Sequence, residues 1–164
     1  RSDDIYKVKQ SRRNNRSLNF NYDSDGCYFV TICVKNRFKI FGIIENSEMY
    51  FTDFGIIANE LWNEIPKHYP DIKLDEYIVM PDHIHGILYI VGNRHACSLQ
   101  TTRRQNQKLP TVIGSYKSAV TKEINKTIFF EWQKSFFDEI IKNEKEYLNI
   151  KKYIIGNLKK LDSE

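Results

Sequence analysis

Cysteine is scarce in this chain, and its spacing argues against most of what cysteine does. Cys27, Cys33 and Cys97 are an odd number, and no two form a Cys-x-x-Cys pair. That pattern speaks against a disulfide framework or a zinc knuckle and predicts reduced thiols in a cytoplasmic protein. Long apolar runs are missing too. None reaches membrane-spanning length and no signal peptide is visible, so no membrane partner is expected. The chain opens on Arg1 rather than Met, from which a trimmed N-terminus is expected. There are no internal repeats. Histidine occurs only four times, and two of the four stand together in an informative setting.

What is present fits one domain. A chain of 164 residues can bury roughly 70% of its unfolded surface. Aromatics are plentiful, with ten Tyr, ten Phe and two Trp. The net charge of +4 and a pI near 8.9 are mildly basic and compatible with a nucleic-acid partner. The distribution says more than the total. Lys7, Lys9, Arg12, Arg13 and Arg16 crowd into a polar arm, residues 1–21, ahead of a single domain at 22–164. Such a run reads either as a DNA-contacting arm or as a solvated tail.

Tyr28 to Val34 reads as a strand. Phe38 to Ile44 and Glu48 to Phe51 suggest a hairpin turning at Asn46-Ser47. Thr52 or Asp53 can cap a helix running to about Lys67, and Pro66 and Pro70 bracket its end. Two apolar strands follow, joined at Pro81-Asp82. Residues 93–109 are polar and aperiodic, which predicts a loop in which His95 and Cys97 are incidental. A second helix is expected over Thr111–Lys126. An aromatic segment from Phe129 to Phe137 then leads to a third helix from about Glu139 to Asn157. This order predicts an α+β, ferredoxin-like antiparallel sheet with helices on one face. The other face would be free to carry the histidines.

Those histidines are His83 and His85, inside Met80-Pro-Asp-His-Ile-His-Gly86. Residues two apart on a strand share a face. Ile84 can therefore enter the core while both imidazoles project together, an arrangement able to hold one divalent metal. Spacing alone also fits ordinary hydrogen-bonded strand histidines.

On the third helix, Ile140, Ile141, Tyr147, Leu148, Ile154 and Ile155 form an apolar stripe. At about 100° per residue, Tyr153 falls nearly opposite, sharing its side with Asn157, Glu146, Asn149 and Lys142. Tyr153 reads as a nucleophile or as a plain surface tyrosine. A phenol needs an activated target, and a metal-bound phosphate is one. His83, His85 and the Asn157 carbonyl would suit Mg²⁺ or Mn²⁺. Attack by Tyr153 would form a phosphotyrosine and release a 3′-hydroxyl.

Several motifs, in order, carry a resemblance. They are Gly26-Cys-Tyr-Phe-Val-Thr-Ile-Cys-Val-Lys-Asn-Arg37, Leu74-Asp-Glu-Tyr-Ile-Val-Met-Pro-Asp-His-Ile-His-Gly86, Ile113-Gly-Ser-Tyr-Lys-Ser118, Trp132-Gln-Lys-Ser-Phe136 and Ile150-Lys-Lys-Tyr-Ile-Ile-Gly-Asn157. Together they resemble the HUH single-strand transposases, in the REP-associated tyrosine transposase branch. The resemblance implies a ferredoxin-like palm, a metal on the histidine pair, and catalysis by Tyr153 on a C-terminal helix with Asn157 four residues on. It implies single-stranded or hairpin DNA as substrate, and it leaves both a homodimer and a monomer open. Leu158 stands where a proline usually follows the Asn, and Glu139 where relatives often carry His.

Tyr116 is the rival nucleophile, in a helix start where Lys117 and Ser118 could meet phosphate. Lys117 and Lys122 are expected to contact DNA. Two other functional classes compete with the transposase reading. One is a catalytically silent nucleic-acid-binding module, although the RNP aromatic pattern is absent. The other is a metal-dependent hydrolase in which water attacks.

Overall fold

The computed structural model describes residues 26–91 and 100–162. The basic arm, with Lys7, Lys9, Arg12, Arg13 and Arg16, lies outside the described residues, as do His95 and Cys97.

Strand β1 (Gly26–Cys33) is followed by a hairpin of β2 (Gly42–Glu45) and β3 (Glu48–Phe51). Asn46 and Ser47 both take positive φ, at 53° and 59°, as a two-residue turn matching the strand twist requires. Helix α1 (Asp53–His68) starts where the side chain of Thr52 accepts the Gly55 N–H at 3.3 Å. Then come β4 (Ile72–Val79), β5 (His83–Ile90), α2 (Gln100–Ile124), β6 (Phe137–Ile140) and α3 (Glu144–Asp162).

The main sheet has the order β4-β5-β1-β6, and all its neighbours run antiparallel. Leaving aside the β2–β3 hairpin, this is the ferredoxin-like arrangement. One face meets α1 and α2 in a core that holds Val30, Ile32, Trp62, Ile84, Leu88, Ile113 and Tyr116. A second core on the opposite face joins Cys27, Phe29, Ile78, Met80, Ile87 and Ile141 to Tyr147 and Ile154 of α3.

The structure corrects three expectations. The helix expected from Thr111 begins at Gln100, so residues 100–109 are helical rather than loop. The third helix starts at Glu144, not Glu139, because Phe137–Ile140 pairs with β1 as an edge strand. The free edge of β1 offers hydrogen bonds that override local helical periodicity. Finally, the histidine face is not bare, since α3 covers part of it.

The start of α3 has a local cause. The Glu146 N–H donates to Asn143 Oδ1 at 2.9 Å, and Glu146 Oε2 accepts the Lys142 N–H at 2.9 Å. The two residues behave as a capping box.

Candidate active site

β5 begins at the histidine pair and carries it on the α3 side of the sheet. His83 pairs with Cys33, and His85 with Thr31, across the β1 ladder. The two imidazole centroids are 4.5 Å apart, so the pair shares one face. Both residues are buried. Ile84 enters the other core, as the alternation requires.

Each imidazole is held at Nδ1. His83 Nδ1 lies 2.6 Å from Asp82 Oδ1. Arg37 grips the other oxygen of Asp82, with Nε donating to Oδ2 at 3.0 Å. An Arg37 terminal nitrogen also lies 3.3 Å from His83 Nδ1. That nitrogen cannot serve both neighbours, and the closer carboxylate takes its proton. His85 Nδ1 meets Thr31 Oγ1 at 2.8 Å. These partners orient the rings and leave each Nε2 outside the hydrogen bonds, as in sites where histidine binds a metal. Arg37 and its neighbour Asn36 take left-handed φ values of 57° and 58°. This is backbone strain of a kind found beside functional sites.

Burial lowers the pKa of His83, with Arg37 adding to the effect against the opposing pull of Asp82. Burial likewise pushes His85 down to about 3, helped by His83 and Arg37. Both rings are therefore neutral at pH 7, the protonation state a metal ligand needs. Burial opposes ionisation of Asp82, but hydrogen bonds from His83 and Arg37 hold its carboxyl below the usual range.

Tyr153 reaches this pair. Its ring meets His85 edge-on at 5.5 Å and Phe29 at 6.2 Å, and the residue is 42% exposed. It therefore lies on the flank of the buried stripe of α3, not opposite it. The buried stripe itself is Tyr147, Ile150, Ile154, Asn157 and Leu158. Leu148 and Ile155 are exposed. Asn157 is buried one turn beyond Tyr153, and its Nδ2 has no hydrogen-bond partner. Among the described residues no group of three or more His, Cys, Asp or Glu gathers as a metal cage.

Tyr116 is placed differently. It is 3% exposed, donates to the Ala58 carbonyl at 2.7 Å and packs edge-on to Trp62 in the α1–α2 core. Lys117 Nζ donates to the carbonyls of Gln133 and Ser135, and Lys122 is exposed on α2. The partners Thr31, Arg37 and Asp82 were missed from sequence. Of these, only Asp82 carried a local signal, since it abuts His83.

The sequence and the fold have counterparts among known proteins. No family model matches the chain. An uncharacterized protein of Haemophilus influenzae is 36% identical over 157 residues, spanning 89% of this chain and 87% of that protein. A second H. influenzae protein, named "Putative REP-associated tyrosine transposase", is 24% identical over 139 residues, spanning 83% and 72%. A solved structure of the REP-associated tyrosine transposase bound to a REP hairpin superposes with a TM-score of 0.60. It covers 89% of this chain and 74% of that one at 18% identity. The chain is thus similar to REP-associated tyrosine transposases, weakly in sequence and over most of its fold. The ferredoxin-like fold is that of the solved transposase. No helix among the described residues is long and apolar enough to cross a membrane.

Proposed function

We propose that this protein is a transposase that cleaves and rejoins single-stranded DNA at hairpin or palindromic repeats through a covalent 5′-phosphotyrosine on Tyr153. One observation carries the reading: the half-exposed Tyr153 ring sits against His85, while Tyr116 is sealed in the core. In this reaction the Tyr153 hydroxyl loses its proton and attacks the phosphorus. The bond from phosphorus to the 3′-oxygen breaks, and the released strand ends in a 3′-hydroxyl. That hydroxyl can attack the phosphotyrosine in turn, so rejoining needs no external energy source.

The donor set fits a divalent ion. The neutral imidazoles of His83 and His85 would hold it through Nε2, and Asn157 is a third ligand of the right chemistry. A half-turn of its amide presents Oδ1 where the unpartnered Nδ2 now lies. Mg²⁺ or Mn²⁺ bound there would supply Lewis-acid polarisation of the phosphate. Asp82 and Thr31 fix the ring orientations, and Arg37 contributes positive charge beside them.

Wild-type protein incubated with labelled single-stranded hairpins and Mn²⁺ should yield denaturation-resistant protein–DNA bands. Peptide mapping should find the nucleotide on Tyr153. Tyr153→Phe should fold, bind metal and DNA, and form no adduct. Cleavage without any adduct would instead identify a hydrolase using water, and binding without cleavage a silent DNA-binding module.

A further inference from the structure

Beside the histidines, on the β6 side, a strip of the sheet lies open. Two neighbours fix which way β6 faces. Phe136 packs into the α1–α2 core, and Ile141 is buried against the α3 side. Alternation then sets Phe137 and Glu139 on the histidine face. The ladder gives their rows. Thr31 pairs with both His85 and Phe137, and Phe29 pairs with both Ile87 and Glu139. At about 4.8 Å between strands, the Phe137 backbone lies roughly 10 Å from that of His85.

α3 leaves this strip uncovered. It is tied to the β4–β5 side, where Tyr147 reaches Asp75 and Tyr153 reaches His85. Phe137 is 58% exposed, Glu139 is exposed, and no ring of the described residues packs on Phe137. The segment before β6 is nonetheless held. Lys117 Nζ donates to the Gln133 and Ser135 carbonyls at 3.0 and 2.8 Å. An apolar ring is thus presented to solvent on a fixed strand next to the nucleophile.

We propose that Phe137 and Glu139 form a nucleobase-binding site for the single-stranded DNA next to the scissile phosphate. The Phe137 ring stacks on a base, and the Glu139 carboxylate accepts a hydrogen bond from its exocyclic amino group. The charge selects bases over backbone. A carboxylate repels phosphate, but it pairs with the amino group of cytosine or adenine. Any base offers a face for stacking on an aromatic ring. The proposal rests on the DNA-cleaving reading above and deepens it.

The test places 2-aminopurine, a fluorescent base that stacks as adenine does but lacks its 6-amino group and so reports stacking alone, at successive positions beside the cleavage site of a hairpin with single-stranded flanks. Wild-type protein with Mn²⁺ should quench one position. Phe137→Leu should lose that quench, Phe137→Trp should keep it, and the Leu variant should raise KM for adduct formation roughly tenfold with little change in kcat. Glu139→Gln should alter which base is preferred there. Both side chains are exposed, so melting temperatures should match wild type. Unchanged quench and KM in Phe137→Leu would overturn the proposal while leaving the phosphotyrosine reading intact. Retained quench with a dimer falling to monomer would also overturn it and make the strip a contact between two copies of the chain. Wild-type protein that neither binds nor cleaves DNA would remove the functional reading, and this site with it.

Discussion

Gly86 follows the second histidine, and its reason lies on the other side of the sheet. A Cβ there would sit 2.4 Å from Cζ2 of Trp62, which is fully buried. The absent side chain lets α1 lay its indole on β5 directly behind the histidine pair. Gly86→Ala should therefore destabilise the protein by about 1–3 kcal/mol, the usual scale of overpacking. Denaturant melts would measure it, and a neutral result would show that Trp62 can yield. Residue by residue, the sequence was legible where chain geometry alone decides. His83 and His85 share a face because a strand alternates. The choice between Tyr153 and Tyr116 was less legible, since burial depends on which helix face meets the sheet. The grip of Thr31 on His85, and of Arg37 on the carboxylate that orients His83, could not be read, because they come from β1 and the turn after it, some 50 residues away in the chain.

Among the elements, α3 carries Tyr153 and must stay docked for its ring to lie against His85. A carboxylate of β4 ties its first turn to the sheet. Asp75 Oδ2 accepts from Tyr147 of α3 at 2.8 Å and from Tyr89 of β5 at 2.5 Å. Asp75 stands where the β4–β5 register shifts, between Leu74 and Tyr77. Bulges of this kind re-aim side chains. Tyr147→Phe keeps the ring and removes one charge-assisted hydrogen bond, worth about 1.5–3 kcal/mol. Hydrogen exchange should then quicken along α3 while β1 and β5 keep their protection. Adduct formation should slow several-fold with DNA binding retained. Equal exchange in α3 and the sheet would mean a global loss instead. The start of α3 was legible in principle, in Asn143-Glu-Lys-Glu146, but the apolar pair Ile140-Ile141 drew the expected helix too far back. Those two residues belong to the sheet edge, which local periodicity cannot reveal. The early start of α2 was hidden for a different reason: Gln100 to Gln107 is polar and gives no amphipathic signal.

In the whole molecule, the order of elements was enough to read the ferredoxin-like sheet, because antiparallel neighbours and short connections leave few topologies. It did not show that both faces are covered, and the second covering has an energetic consequence. Through Tyr153, α3 helps to bury His85, whose imidazole would be far easier to protonate in water. Above pH 6.5, His85 is neutral in both folded and unfolded chains and the burial carries no proton penalty. As pH falls from 6.5 towards about 3, the unfolded chain takes up a proton that the folded chain refuses. Stability must fall through that window. His83 is shifted in the same direction and adds to the loss. Asp82 acts lower down. Its folded pKa is depressed, so its contribution is present above the unfolded value of 3.8 and is lost as pH drops through the folded value. For His85 the shift from 6.5 to about 3 corresponds to a loss on the order of 3–5 kcal/mol. Denaturant melts of metal-free protein at about pH 4 and pH 6 would read it. The midpoint should drop steeply in wild type and much less in His85→Gln, which has no proton to gain. Equal drops in both would mean that the acid sensitivity arises from other groups and that the buried imidazole is not the liability its surroundings make it.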